Sequence, residues 1–147
     1  MSQNFPKNCT NEHLLWAHYA NSHKGIRIDF ELDNKYEPKS VKYTDERIFI
    51  KSKQDAMNKM DEIMTTKLKC WKYERESRVI SDIDKIKINI KQIMLGRGLL
   101  RANFEYKDKF DENIIEFAIK IKELINDNKV KILAYTSRYS NDFKEIL

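Results

Sequence analysis

Asp111–Tyr135 reads DENIIEFAIKIKELINDNKVKILAY. Its first half places Ile114, Phe117, Ala118, Ile121, Leu124 and Ile125 at steps of three and four, the spacing that gathers apolar side chains on one face of a helix. Asp111 can cap that helix, and Phe110 can pack on Ile115 as a hydrophobic staple. Asn126-Asp127-Asn128 supplies the stop, after which Val130, Ile132, Leu133 and Tyr135 predict a strand. A one-faced helix followed directly by an apolar strand needs a sheet to pack on, which excludes an all-helical bundle. The closing residues 137–147 are either a frayed tail or a short docked segment.

Working back toward the N-terminus, the same two periods recur. Ile86, Ile88 and Ile90 and the run Ile93-Met94-Leu95 read as strands that end at Gly96-Arg97-Gly98. That glycine pair lacks the spacing of a dinucleotide or P-loop cradle, and a turn after a buried strand explains it. Ser52 with Asp55 three residues on resembles a helix start. Met57, Met60, Met64 and Leu68 then follow at helical steps and are expected to be core packing in an amphipathic helix reaching Lys69. Ile26, Ile28, Phe30 and Leu32 alternate with Arg27, Asp29 and Glu31, the signature of a strand with one face buried. Val41 and Tyr43 suggest a second short strand after the turn from Asn34 to Pro38. A first helix is expected from about Asn11 to Lys24, capped by Thr10 and stopped by a left-handed Gly25. The sum is an α+β fold with about three helices packed on a mostly antiparallel sheet of five to six strands. With no repeat or Pro/Gly/Ser-rich linker, residues 1–147 are expected to form one domain.

Composition narrows the class of function. The chain has 147 residues, 28 Lys+Arg against 23 Asp+Glu and a net charge of +5. Its hydrophobic fraction of 41% and 3 Gly with 2 Pro argue against a disordered or collagenous chain. Charges of both signs are interleaved rather than gathered in one basic stripe, so nucleic-acid binding is not the expected partner class. No apolar run is long enough to span a bilayer and the N-terminus lacks the pattern of a secretory leader, so no membrane association and a cytoplasmic location are expected. Cys9 and Cys70 have neither C-x-x-C spacing nor further partners, so neither a zinc site nor a disulfide framework is implied.

Two groups of residues can carry chemistry. The histidines His13, His18 and His23 stand five apart, a rotation of about 140° per step on a helix, so they do not share one face and no metal site is expected. His23 beside Gly25 can face a ligand, or His18 and His23 can make structural hydrogen bonds where the helix dipole favours a cation. The second group is Trp71-Lys72-Tyr73-Glu74-Arg75-Glu76-Ser77-Arg78, expected within a strand from Trp71 to Ile80. An extended backbone places Glu74, Glu76 and Arg78 on one face. Two neighbouring carboxylates raise each other's proton affinity and an arginine offsets this, so the set can tune an acid pair or hold a sugar hydroxyl. The competing reading is an ion-pair ladder on a solvated face. Trp16, Tyr19 and Trp71 are expected as core anchors ahead of ligand contacts, since aromatics bury large areas.

The segments W-A-H-Y-A-N-S-H-K-G at Trp16–Gly25, I-R-I-D-F at Ile26–Phe30, W-K-Y-E-R-E-S-R at Trp71–Arg78 and I-K-Q-I-M-L-G at Ile90–Gly96 together resemble a bacterial family catalogued as domain of unknown function 2971. The resemblance covers roughly residues 10–98. It implies that this chain corresponds to the C-terminal part of a longer family domain, and it carries Trp16, His18, Tyr19, His23, Gly25, Trp71, Glu74, Glu76 and Arg78 as the matched residues. The E-x-E strand is also similar in layout to ADP-ribosyltransferases, at the level of fold analogy only. That analogy implies an enzyme-derived domain using NAD or another nucleotide. Glu76 would then be the catalytic carboxylate and Glu74 the residue orienting the acceptor, with Trp16, His18, Tyr19, His23 and Arg78 as ligand-binding residues. On this reading the short form is expected to be inactive alone, and no cofactor is assigned. A non-catalytic interaction module, with self-association or a protein partner, is the competing expectation, and nucleic-acid binding through a Lys-rich surface is a second alternative.

Overall fold

The computed structural model describes residues 12–147, and the expected cap at Thr10, the helix start at Asn11 and Cys9 lie outside them. The chain divides into two units, the first built from residues up to Glu31 together with Ile88–Leu147, the second from Leu32–Lys87.

The first unit is built on the stretch 111–135. Helix α4 covers Glu112–Ile125, and the Asp111 side chain caps it by accepting from the Asn113 N–H at 3.0 Å. Asn126 closes it in the left-handed conformation at φ 53°, donating its N–H to the Lys122 carbonyl. Strands β6 (Ile88–Leu95) and β7 (Lys131–Tyr135) flank that helix in sequence and pair in parallel, with Ile93 opposite Ile132 and Leu95 opposite Ala134. A parallel pair needs a crossover of a dozen or more residues, and α4 is that crossover. Strand β8 (Phe143–Glu145) then docks antiparallel on β7, so the C-terminal segment is a strand rather than a frayed tail. With β1 (Ile26–Leu32) the sheet order is β1-β6-β7-β8. The fold is α+β as expected, but its main sheet has four strands and its central pair is parallel rather than antiparallel.

Burial in this unit is deep. Met94, Leu95, Leu100, Val130 and Ile132 are fully enclosed, joined by Ile114, Ala118 and Ile121 of α4 and by Trp16 of helix α1 (Glu12–Tyr19). Phe110 packs on Phe104 and Tyr106 at ring distances of 6.1 and 4.9 Å. Not every residue of the expected apolar stripe takes part, for Leu124 is 86% exposed, at the far side of the last turn.

Helix α1 ends at Tyr19, short of the expected Lys24. Asn21, Ser22 and His23 follow in the left-handed region at φ 45°, 55° and 67°, which folds the chain back so that the His23 N–H reaches the Trp16 carbonyl at 3.1 Å. These three residues, not Gly25, supply the left-handed stop. Gly25 is glycine for want of space, since a Cβ there would stand 2.9 Å from the Ala20 Cα.

The second unit is made of short pieces. Strands β2 (Lys39–Ser40) and β5 (Ser77–Arg78) pair antiparallel, while β3 (Lys42–Thr44) and β4 (Thr66–Leu68) pair in parallel. Ser52 caps helix α2 (Lys53–Asn58) by accepting from the Asp55 N–H, as read. The expected single helix to Lys69 breaks at Lys59, and α3 covers only Met60–Met64. Met57, Met60, Met64 and Leu68 all emerge exposed rather than in a core, because a helical period places side chains on a face without supplying a surface to cover it. Trp71–Ile80 is likewise not one strand. Lys69–Glu74 forms a 3-10 turn, Arg75 takes the left-handed conformation at φ 49°, and only Ser77–Arg78 is extended.

Candidate functional site

In the second unit the acidic pair and its cations are assembled from three elements and the link between two of them. Glu74 ends the 3-10 turn, Glu76 follows the left-handed Arg75, Arg78 sits on β5 and Lys67 is the middle residue of β4. The β3–β4 pairing sets Lys67 opposite Tyr43, and the Glu76 backbone N–H donates to the Tyr43 hydroxyl at 2.7 Å. The Val41 N–H donates to the Glu76 carbonyl at 3.0 Å, so the backbone on both sides of the Glu76 side chain is held.

Charge completes the cluster. The Lys67 ammonium donates to the Glu74 carboxylate and, at 3.3 Å, to Glu76. The Glu74 side chain is only 5% exposed, so this ion pair is largely out of water. Arg78 grips both oxygens of Glu76 at 2.5 and 3.0 Å through Nε and Nη2, and its Nη1 donates to the Met64 carbonyl at 2.6 Å. A bidentate guanidinium–carboxylate pair of this kind is among the stronger polar contacts in proteins. The Arg78 hydrogen bonds, with help from Lys67, hold the Glu76 carboxyl below its usual range, while the Glu74 and Glu76 hydrogen bonds hold Lys67 above its own. Burial pushes the Tyr73 hydroxyl up, with the Glu74 charge adding to it. Lys67 also lies 5.0 Å over the Trp71 ring, and Trp71 meets Tyr73 at 5.9 Å. Trp71 is half-buried beside charge, a packing partner of the cluster rather than a deep core anchor.

The arrangement is thus a doubly neutralised acid pair. Glu76 stays ionised across the neutral range, which fits it to accept hydrogen bonds or face a developing cation and not to donate a proton. Glu74, being buried against Lys67, holds the lysine that in turn holds Glu76.

The histidine-bearing residues belong to the first unit. Trp16 is buried, its Nε1 donating to Glu12 at 3.2 Å, and Glu12 also accepts from Arg27 at 2.7 Å. His18 and Tyr19 are exposed on α1, their rings 6.3 Å apart, so Tyr19 is not the core anchor its type suggested. His23 does not continue the helix. Its left-handed backbone carries the ring back to stack on Trp16 at 6.2 Å and to meet His13 at 6.0 Å, so two histidines that helical spacing would separate are brought together. Burial, then Arg97, then His13 lower the His23 pKa from its usual 6.5 and favour the neutral ring. Its carbonyl accepts from the Gly98 N–H at 2.9 Å, and a Cβ on Gly96 would stand 2.0 Å from that oxygen. The Gly96-Arg97-Gly98 motif is therefore a close backbone approach, and Arg97 lies 4.4 Å over the Tyr135 ring. Among the described residues no three His, Cys, Asp or Glu side chains gather as metal ligands.

Sequence reasoning missed Lys67 and Tyr43 as members of the cluster. Lys67 is one of many lysines, and only the parallel β3–β4 pairing, which joins residues far apart in sequence, distinguishes it.

Residues 15–79 match the family model described as Protein of unknown function (DUF2971). The motif residues from Trp16 to Arg78 lie inside that range, while the Ile90–Gly96 segment that also carried the resemblance lies outside it, as do α4, β7 and β8. No curated protein and no solved structure matches the chain. Among the described residues no helix is long and apolar enough to cross a membrane.

Proposed function

We propose that this chain, whose residues 15–79 match the DUF2971 family model, is an enzyme-derived domain of the nucleotide-using, ADP-ribosyltransferase-like type, with the Glu74–Glu76 cluster as its reactive centre. The observation that supports this reading is the state of Glu76, an ionised carboxylate held from both sides by Arg78 and Lys67. Shifted acids gathered with specific charge partners are more frequent at functional sites than elsewhere on a protein.

The chemistry follows from that charge. Cleaving the bond between the ribose C1 and the nicotinamide nitrogen of NAD sends the bonding pair out with nicotinamide and leaves positive charge on the sugar. An ionised Glu76 accepts a hydrogen bond from the adjacent ribose hydroxyl and stabilises that charge, and the stabilisation grows as the bond breaks. Arg78 keeps Glu76 deprotonated, and Glu74 positions it through Lys67. The acceptor's nucleophilic atom then forms the new bond to C1 and its proton passes to solvent.

The test is nicotinamide release and a thermal shift with NAD on the purified chain, with Glu76→Gln as control. The substitution is expected to weaken the thermal shift and abolish any release, and because it removes the charge that Arg78 and Lys67 hold, its unliganded melt is expected to fall modestly while staying cooperative. A thermal shift with NAD that is undiminished in Glu76→Gln, nicotinamide release that survives the substitution, or a chain whose melt NAD does not move overturns the reading. A second reading, an interaction module, is supported by a different observation, the exposed apolar face of β1.

A further inference from the structure

Strand β1 closes one side of the four-stranded sheet and β8 closes the other. The two edges are built differently. β8 is three residues long with Lys144 at its centre, the short and charged form that discourages pairing with another chain. β1 runs for seven residues, Ile-Arg-Ile-Asp-Phe-Glu-Leu, with neither lysine nor proline. Successive side chains of a strand point to opposite faces, so Ile26, Ile28 and Phe30 share one face, and they are 39%, 41% and 48% exposed. Among the described residues no further strand pairs with β1 on its outer side, and a long apolar edge of this kind is a template for another strand.

We propose that β1 pairs antiparallel with β1 of a second copy of this chain, about a two-fold axis at Ile28. This rests on the strand itself and is independent of the Glu76 cluster. The sequence of β1 complements itself in that register. On the polar face Arg27 stands opposite Asp29 of the second copy, and Asp29 opposite Arg27. On the apolar face Ile28 meets Ile28, and Ile26 meets Phe30. Neighbouring registers lack this match. An axis at Asp29 sets two aspartates face to face, one at Arg27 sets two arginines face to face, and one at Phe30 sets Asp29 against Glu31. Slipping by a single residue puts apolar side chains against charges. Arg27 and Asp29 already contact each other within the strand at 3.0 and 3.1 Å, so the axis at Ile28 brings two preformed ion pairs together as a closed ring of alternating charge. Pairing of one surface with itself is isologous and stops at two copies. The two four-stranded sheets then run on as one of eight.

Analytical ultracentrifugation of the full chain across a concentration series tests this. The parent is expected to approach twice its 17.7 kDa mass as concentration rises. Ile28→Lys, at an exposed position, is expected to be a monomer with an unchanged melt. Register is read separately in a Cys9→Ser, Cys70→Ser background. There Ile28→Cys is expected to form an intermolecular disulfide on mild oxidation and Ile26→Cys is not, because the axis sets residue 28 against itself and residue 26 against residue 30. The proposal is overturned by a parent that is monomeric at every concentration, by association that survives Ile28→Lys, by equal cross-linking at both cysteines, or by species that grow beyond two copies. Should Ile28→Lys fail to fold, the two cysteine variants still decide.

Discussion

The two units of this chain are stabilised by different physics. In the first, fourteen buried apolar residues form one cluster spanning α1, β6, α4 and β7. In the second, Val41 is the one apolar residue that is buried among those described, and polar contacts take the place of a core. Lys67, Glu74, Glu76 and Arg78 tie β4, the 3-10 turn and β5 together, and Lys59 joins α2 to the preceding loop through Asp55 at 3.2 Å and the Phe49 carbonyl at 2.8 Å. Apolar burial tolerates changes of pH and salt, whereas a charge-held unit answers to both. A candidate reactive centre placed on the second kind of scaffold depends on its ion pairs for its shape.

The sharpest test of that contrast is a matched pair of truncations. Ile132 is fully enclosed, so Ile132→Ala is expected to cost about 2 to 5 kcal/mol through lost burial and the cavity left behind. Met60→Ala, made at a residue about half exposed, is expected to cost well under about 1 kcal/mol. Urea denaturation followed by far-ultraviolet circular dichroism measures both. Equal losses would show that the second unit has a core after all. Gly96→Ala comes next. Its Cβ would stand 2.0 Å from the His23 carbonyl oxygen, a backbone atom that cannot swing aside, so a cost at or above the upper end of the roughly 1 to 3 kcal/mol typical of overpacking is expected.

Breaking the charge cluster tests the other unit. Lys67→Met keeps the length of the side chain but leaves Glu74 buried without its ammonium, and a loss of about 1 to 3 kcal/mol is expected. Hydrogen exchange at the Val41 amide, which is bonded to the Glu76 carbonyl, reports it locally. If that amide stays as protected as in the parent, the ion pairs do not hold the unit.

Acid separates the two units by window. The folded pKa of Glu76 is depressed, so its contribution is present above its ordinary 4.5 and is lost as pH falls through the lower folded value. His23 is also depressed, from 6.5, so the folded first unit resists its protonation and loses stability as pH falls from 6.5 toward the folded value. The first unit should therefore begin to weaken at mildly acidic pH, and the second only in stronger acid. Exchange measured along a pH series, amide by amide, checks the order. His23→Gln should flatten the mildly acidic step and leave the other.

Which features could be read from the sequence follows the same division. Helix α4 was legible in full because its cap, its apolar period and its left-handed stop at Asn126 are all local signals. The strand Ile26–Leu32 was legible in extent, but the side expected to be buried proved open. Period two tells which side chains share a face and says nothing about what covers them. The parallel β6–β7 pair escaped because strand direction is decided by the crossover, and the two strands alone carry no mark of it. In the second unit the polar–apolar alternation of Trp71–Arg78 suggested an extended strand, whereas the chain makes a 3-10 turn and a left-handed bend at Arg75. The group Glu74, Glu76 and Arg78 was nonetheless found, since charge density is visible in the sequence, while Lys67 was missed because an extended reading of Trp71–Arg78 contains no 3-10 turn to bring Glu74 back onto it. His23 was placed on a helix that ends before it, and three successive left-handed residues have no reliable sequence signal outside glycine.

The smallest expected effect tests the stripe on α4 itself. Leu124 fits the helical period as well as Ile121 does, yet Ile121 is buried and Leu124 stands in solvent. The difference comes from the end of the helix. Lys122 donates to the carbonyls of Asn128 and Val130, so the last turn is tied to the chain leading into β7, and Ile121 and Ile125 are the last residues of the stripe to meet the core. Leu124→Lys is therefore expected to change stability by no more than about 0.5 kcal/mol in either direction, the range of an ordinary surface substitution. Ile121→Lys in the same helix should unfold the first unit, because it would bury a charge among Ile114, Ala118 and the sheet. A large loss with Leu124→Lys would mean that this face of α4 is covered in solution, and the contrast between a closed first unit and an open second one would have to be redrawn at that point.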